Sequence, residues 1–274
     1  MENVFIAGNY RFPLGERSYI MGILNVTPDS FSDGGKYQES SRAIERALEM
    51  QEQGADIIDV GGQSTRPGYA QIPWQEEWAR LEPVLKEVCG KLKIPASVDT
   101  FYPQVAERAL DAGASIINDV TGFSSGMWEV ARKYPGCGCI VMHWKELLPE
   151  EDAIKAVRHF FEKKKQEALL YGIEPARLCM DPGIGFGKSF EQNLALLAGV
   201  AEEKIPGIAF LMAASRKRVI GQPCGNPPFE ERMPGTLAAH TLALAGGADF
   251  LRVHDVKESV QAARVADAVL HSRR

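Results

Sequence analysis

The sequence is short of several things, and each shortage excludes a class of protein. Cysteine is scarce, with Cys89, Cys137, Cys139, Cys179 and Cys224 making five in 274 residues. The number is odd and no C-x-x-C pair occurs, so neither a disulfide framework nor a zinc ribbon is expected. Cys137 and Cys139 are two thiols, too few for a zinc shell, and read as reduced residues at a buried strand start. Long basic runs are missing. Lys163, Lys164 and Lys165 form the longest cluster and read as a solvated helix face. With 31 Lys and Arg against 36 Asp and Glu, the net charge is −5, which argues against nucleic-acid binding. Any anionic substrate must then be held by a few local cations. No stretch approaches the ~20 apolar residues of a membrane span. The first residues also lack a basic region followed by an apolar run. No membrane partner and a cytoplasmic location are expected.

What is there alternates. Eight short apolar runs occupy 19–26, 56–62, 96–100, 115–120, 139–143, 178–181, 208–215 and 250–254. Between them lie helix-like stretches at 41–53, 74–92, 103–112, 127–134, 150–171, 190–199, 234–245 and 257–273. Their apolar residues recur near every 3.6 positions, as Val105, Ala106, Ala109 and Leu110 do. Gly54-Ala55, Gly113-Ala114 and Gly247-Ala248 punctuate helix ends, where glycine accepts the left-handed conformation. Eight strand–helix units predict an α/β fold, a single (β/α)8 TIM barrel. A doubly wound sheet usually carries a glycine-rich dinucleotide loop in its first unit, and none occurs here. Residues 3–17 read as a short N-terminal hairpin closing the barrel bottom. No linker or composition shift marks a second domain, so 1–274 is read as one barrel domain.

In such barrels the chemistry sits where strands end. The eight ends carry Asn25, Asp59, Asp99, Asn118-Asp119, His143, Asp181, Ser215-Arg216-Lys217 and Arg252-Val253-His254-Asp255. Carboxylates and an amide suit a ligand rich in N–H donors, and the cations suit a phosphate. Two loops, 27–35 and 63–68, mix Gly and Pro with hydroxyls and read as covers of the site. The run Asp181-Pro182-Gly183-Ile184-Gly185-Phe186-Gly187-Lys188 lacks a full G-x-G-x-x-G, and its glycines would let Phe186 approach a ligand closely.

These segments resemble the dihydropteroate synthase family of pterin-binding barrels. The likeness is carried by 21–35, by 59–68, by Ser97-Val98-Asp99-Thr100 and Ile116-Ile117-Asn118-Asp119-Val120, by 181–188, by Ser215-Arg216-Lys217 and by Arg252-Val253-His254-Asp255. It runs in order along the chain from about residue 4. The resemblance implies a transferase of folate synthesis. Such an enzyme joins a 6-hydroxymethyl-7,8-dihydropterin pyrophosphate to para-aminobenzoate and releases pyrophosphate. It further implies that Asp99, Asn118, Met142, Asp181, Lys217 and Arg252 hold the pterin, with Asp99, Lys217 and Arg252 as the catalytic set. Asn25, Thr65, Arg66, Arg252 and His254 would bind pyrophosphate, and Asn25 would hold Mg2+. Phe31, Ser32, Thr65, Pro67, Phe186, Lys217 and Arg218 would form the aminobenzoate subsite, the place a sulfonamide would take. A homodimer is implied as well.

The chain departs from the family pattern at three places. Trp144-Lys145-Glu146-Leu147-Leu148 replaces a Gln-Gly-Thr-Pro-like loop, Gln63 stands where Glu is common, and Arg218 stands where many members have Ser. Two other functions stay open at this point. A methyltetrahydrofolate–corrinoid methyltransferase would share the Asp and Asn strand ends but would need neither Phe31 nor Arg66. A non-catalytic pterin-binding module would be expected to lose Asn25, Arg252 and His254, and all are present.

Overall fold

A computed structural model describes residues 3–26, 36–64, 69–124 and 126–272. A small antiparallel hairpin, β1 (Val4–Ala7) and β2 (Tyr10–Pro13), precedes eight parallel strands. These are β3 (Tyr19–Asn25), β4 (Ile57–Gly61), β5 (Ala96–Asp99), β6 (Ile116–Asp119), β7 (Gly138–Met142), β8 (Leu178–Asp181), β9 (Ala209–Met212) and β10 (Phe250–Val253). They pair in chain order, and β10 returns to pair with β3, which closes the barrel.

The helices follow their strands: α1 (Lys36–Glu52), α2 (Trp74–Lys91), α3 (Pro103–Asp111), α4 (Met127–Lys133), α5 (Ala153–Leu170), α6 (Phe190–Ala198), α7 (Val200–Glu203), α8 (Arg218–Gly221), α9 (Met233–Ala245) and α10 (Val256–His271). Local signals set their starts. Asp152 accepts Lys155 N–H at the head of α5. Ser189 and Gln192 form a reciprocal capping box on α6. The expected helix 190–199 ends at Ala198, and a second short helix follows Gly199, where a Cβ would lie 2.4 Å from Ile154 Cδ1. α8 was not foreseen. At four residues it is too short to show a helical period.

Strand periodicity builds the site. Side chains alternate between the barrel interior and the helix layer. Ile57, Ile116, Ile140, Cys179, Leu211 and Phe250 share one buried cluster inside the barrel. Their chain neighbours Ile58, Ile117, Val141, Leu178, Met180, Phe210, Met212 and Leu251 belong to the layer under the helices. The bottom of the interior is plugged by the hairpin: Phe5 and Phe12 meet Tyr19 and Phe250 at centroid distances of 5.0–5.5 Å, apart from the 6.0 Å Phe5–Phe12 pair. Two residues above this apolar layer, the inward positions become Asp59, Asn118, Met142, Asp181 and Arg252. A slip of one residue would turn every one of them to the helices.

Candidate active site

Asp59 is fully buried at the centre of the upper layer. Its Oδ2 accepts Arg252 Nε at 2.6 Å and Asn118 Nδ2 at 3.0 Å. Arg252 Nη2 donates to Asp99 Oδ2 at 2.7 Å, so one guanidinium joins strands β4, β5 and β10. Asp59 Oδ1 and Asp99 Oδ1 are buried without a protein partner. Burial pushes the Asp99 carboxyl upward and Arg252 pulls it back, while Asp59, Glu77 and Asp119 add to the rise. Burial works against the Arg252 charge, but Asp59 and Asp99 outweigh it and hold the guanidinium charged.

Asp181 ends β8, buried, with Oδ1 accepting Gly183 N–H at 2.7 Å. Burial raises its carboxyl and Lys217 counters that rise. Lys217 Nζ donates to Ile184 O at 2.6 Å and lies 4.9 Å from the Phe186 ring centroid. Met142, buried at the end of β7, supplies an apolar wall. The carboxyls Asp59, Asp99 and Asp181 thus stand beside Arg252 and Lys217, and Asp59 Oδ1 and Asp99 Oδ1 remain without a protein partner. Such a lining favours a ligand that brings N–H donors or positive charge.

The phosphate-type residues lie on neighbouring ends. Ser215 Oγ sits 2.9 Å from His254 Nδ1 and also accepts the His254 backbone N–H at 3.2 Å. The His254 ring meets Phe229 edge-on at 5.2 Å. Arg216 has φ +56° and is turned onto Asp255, with its guanidinium 5.1 Å from the Phe229 ring. Asn25 is exposed at the end of β3. Opposite it, Gly61 leaves open the space where a Cβ would stand 3.7 Å from Asn25 Oδ1 and 3.8 Å from Asp99 Oδ2. Arg218 is exposed at the first turn of α8. Phe31, Ser32, Thr65, Arg66 and Pro67 lie outside the described residues, as do most of the two loops they belong to.

The sequence had marked Asp59 as a strand end without giving it a role. It holds Arg252, 193 positions away, and the only cue was its place in the Asp–x–Gly–Gly stretch. Ser215 was likewise marked as a strand end without a role, and Glu77 was missed. Glu77, fully buried on α2, accepts Gln63 Nε2 at 2.9 Å and Thr100 Oγ1 at 3.2 Å. Burial pushes its carboxyl up to about 7, against those two hydrogen bonds. Gln63 Oε1 in turn accepts Ile72 N–H at 3.4 Å. Its amide therefore gives to one partner and takes from another, which a carboxylate cannot do. Among the described residues, no three His, Cys, Asp or Glu side chains are grouped to hold a metal. No helix among them is long and apolar enough to cross a membrane.

Comparison with known proteins agrees with this geometry. Residues 21–254 match the family model described as pterin binding enzyme. The dihydropteroate synthase of Clostridium beijerinckii is 42% identical over 266 residues, covering 96% of this chain and 98% of that one. The crystal structure of the Clostridium difficile dihydropteroate synthase in the presence of pteroic acid superposes with a TM-score of 0.90 at 42% identity, over 94% of this chain and 98% of that one. The Xanthomonas albilineans dihydropteroate synthase with 4-aminobenzoic acid gives 0.91 at 38% identity, over 98% and 99%. The chain belongs to the pterin-binding enzyme family, among the dihydropteroate synthases.

Proposed function

We propose that this chain condenses 6-hydroxymethyl-7,8-dihydropterin pyrophosphate with para-aminobenzoate, giving 7,8-dihydropteroate and pyrophosphate. The observation that carries the reading is the carboxyl-rich ring of Asp59, Asp99 and Asp181 closed by Arg252, Asn118 and Lys217 at the barrel mouth. Ligands matching this reaction occupy related structures, which were solved with pteroic acid and with 4-aminobenzoic acid.

Each residue has a part that its chemistry suits. Asp181, Asp99 and Asn118 pair with the N–H-rich pterin edge, and Met142 packs on the ring. Lys217 donates to the ring carbonyl. Arg252, His254, Thr65 and Arg66 meet pyrophosphate. Phe186 with Phe31, Ser32, Pro67 and Arg218 forms the aminobenzoate side. The C–O bond to pyrophosphate breaks first and its electron pair leaves with the phosphate. An aromatic amine is a weak nucleophile, so it needs the electrophile already formed. A carboxylate ~4 Å from the resulting pterin-methyl cation is worth on the order of 4 kcal/mol at an effective dielectric of about 20. That is nearly three factors of ten in rate. The amine lone pair then forms the C–N bond and the nitrogen gives up a proton.

Mg2+ fits Asn25. The methyl-sized gap over Gly61 borders the hard amide oxygen of Asn25 and the Asp99 carboxyl. Mg2+ takes few protein ligands when phosphates and water complete its shell. When bound it neutralises the leaving pyrophosphate. The phosphorylated substrate and five unpaired cysteines fit a cytoplasmic location. A homodimer fits the exposed Leu242, Val265 and Val269 on the adjoining helices α9 and α10. A coupled pyrophosphate assay tests the function. Release is expected only with both substrates, one pyrophosphate per dihydropteroate, and no release with both would sink the reading.

A further inference from the structure

We propose that Lys188 is a positioning residue for the second substrate: its ammonium fixes the glycine turn after β8, and with it Phe186. Lys188 Nζ donates to three main-chain carbonyls, His143 O at 3.0 Å, Gly183 O at 3.2 Å and Phe186 O at 2.8 Å. Burial pushes Lys188 down to about 7 against the pull of Asp181; as an ammonium it has three N–H donors and no acceptor, so its hydrogen-bonding capacity is then filled. Two of the acceptors belong to the turn that Lys188 ends, and the third follows β7. Between them, Ile184 O is taken by Lys217. The turn from Gly183 to Gly187 therefore wraps its carbonyls around two ammonium groups, one of them a pterin-pocket residue.

The turn has no other freedom on its inner side. Gly183 has φ +69°, and a Cβ there would lie 2.0 Å from His143 O. Gly187 has φ +57°, and a Cβ there would lie 2.7 Å from Glu146 Cα. Outer anchors exist that do not involve Lys188: Leu147 N–H donates to Gly187 O at 2.9 Å, and Gly185 N–H to Asn193 Oδ1 at 2.7 Å. Removing the ammonium therefore leaves the turn attached but releases the carbonyl of Phe186. The Asp181 carboxyl keeps its own bond to Gly183 N–H. The effect should fall on the Phe186 side, not on the pterin edge. The inference rests on Phe186 lining the aminobenzoate subsite.

The test compares Lys188→Met, Lys188→Ala and Phe186→Leu by steady-state kinetics, with calorimetric pterin binding reporting on the fold. Lys188→Met is expected to raise KM for para-aminobenzoate about tenfold, as for loss of charge-assisted hydrogen bonds, and to hold KM for the pterin pyrophosphate within about twofold. Propylammonium, which restores the deleted atoms of Lys188→Ala, should recover at least about threefold. Tetramethylammonium, of equal charge but without N–H donors, should recover nothing. An unchanged aminobenzoate KM in Lys188→Met, with a raised one in Phe186→Leu, overturns the clamp and leaves the subsite standing. If Phe186→Leu is also silent, the subsite reading falls and the inference with it. Equal losses for both substrates with no recovery in propylammonium would make Lys188 a general fold residue and overturn the proposal. Should Lys188→Met not fold, Lys188→Ala with and without propylammonium carries the same KM comparison.

Discussion

Asp59 and Arg252 are joined by a 2.6 Å hydrogen bond whose acceptor oxygen, Oδ2, also holds Asn118. One buried atom thus orients an amide 59 positions and a cation 193 positions further along the chain. Asp59→Asn keeps the shape and, with its amide oxygen at the Oδ2 place, the two acceptances, but removes the charge. Arg252 would keep only Asp99 as a charged partner. Removing one partner of a buried pair typically costs about 3–5 kcal/mol. A loss near the lower end in urea unfolding is expected, with pterin affinity weakened about tenfold or more by calorimetry. If both quantities match the parent protein, Asp59 does not organise the pocket.

Glu203 gives a pH-dependent stability. It is fully buried at the end of α7, and neither carboxyl oxygen has a hydrogen-bond partner. Burial pushes the carboxyl up to about 9, with Asp181 adding to the rise and Lys188 opposing it. The folded protein therefore keeps this proton at pH values where the unfolded chain has lost it. Where the native state binds more protons, stability falls as pH rises. For Glu203 the window runs from the ordinary carboxyl value of 4.5 up to about 9. Glu203→Gln removes the proton from this balance. Its Tm is expected to exceed the parent's at pH 8, by a margin on the order of a few kcal/mol in stability. The margin should vanish toward pH 4.5. A gap independent of pH would mean that Glu203 is not protonated in the fold.

The readable part of this molecule was whatever repeats or has a fixed period. The run 56–62 was legible as a strand ending at Asp59, and alternation along β4 explains why Ile57 and Asp59 share the interior, because successive strand side chains face opposite ways. The same rule separates Asp119 from Asn118. Asp119 lies one residue on and is spent on Thr121 and the Phe123 N–H, not on the pocket. Partnerships across the barrel were not legible. Nothing in the stretch around Asp59 names Arg252, since closure of the barrel alone brings them together. Lys188 was visible as the end of a glycine run, yet its acceptors are backbone carbonyls, which leave no mark in residue types. Among the late apolar residues, Leu244 is core while Leu242 is 68% exposed, a division set by the rotation of α9 against the barrel.

That exposed face bears on assembly. Leu242, Val265 and Val269 stand 68%, 66% and 54% exposed on α9 and α10, which pack side by side. Burying three such side chains between two copies would contribute roughly 1.5–3 kcal/mol each. Placing a carboxylate there removes that gain and adds a desolvation cost. Leu242→Glu and Val269→Glu together are expected to convert a dimer into a monomer in sedimentation equilibrium, with pterin affinity kept. A parent protein that sediments as a monomer would refute the assignment of this face.

Ser215 bears on the pyrophosphate side through the His254 ring. Its Oγ accepts the His254 backbone N–H and lies 2.9 Å from Nδ1, and we assign its own proton to that second contact in the neutral ring. A ring that accepts at Nδ1 carries its hydrogen on Nε2. The tautomer so fixed presents an N–H donor, which is what a phosphate oxygen requires. A protonated ring would donate from Nδ1 to the same hydroxyl and still offer Nε2–H, so the orientation is kept in either charge state. Ser215→Ala frees the ring to rotate and to adopt the other tautomer, which offers a lone pair instead. The inhibition constant of pyrophosphate should rise about threefold to tenfold, the value of one ordinary hydrogen bond. Ser215→Thr retains the hydroxyl and should retain most of the affinity. The shift should be smaller at a pH where the imidazole is protonated, because both ring nitrogens then donate regardless of tautomer. An equal loss in Ser215→Ala and Ser215→Thr would show that packing, and not the hydroxyl, sets the ring.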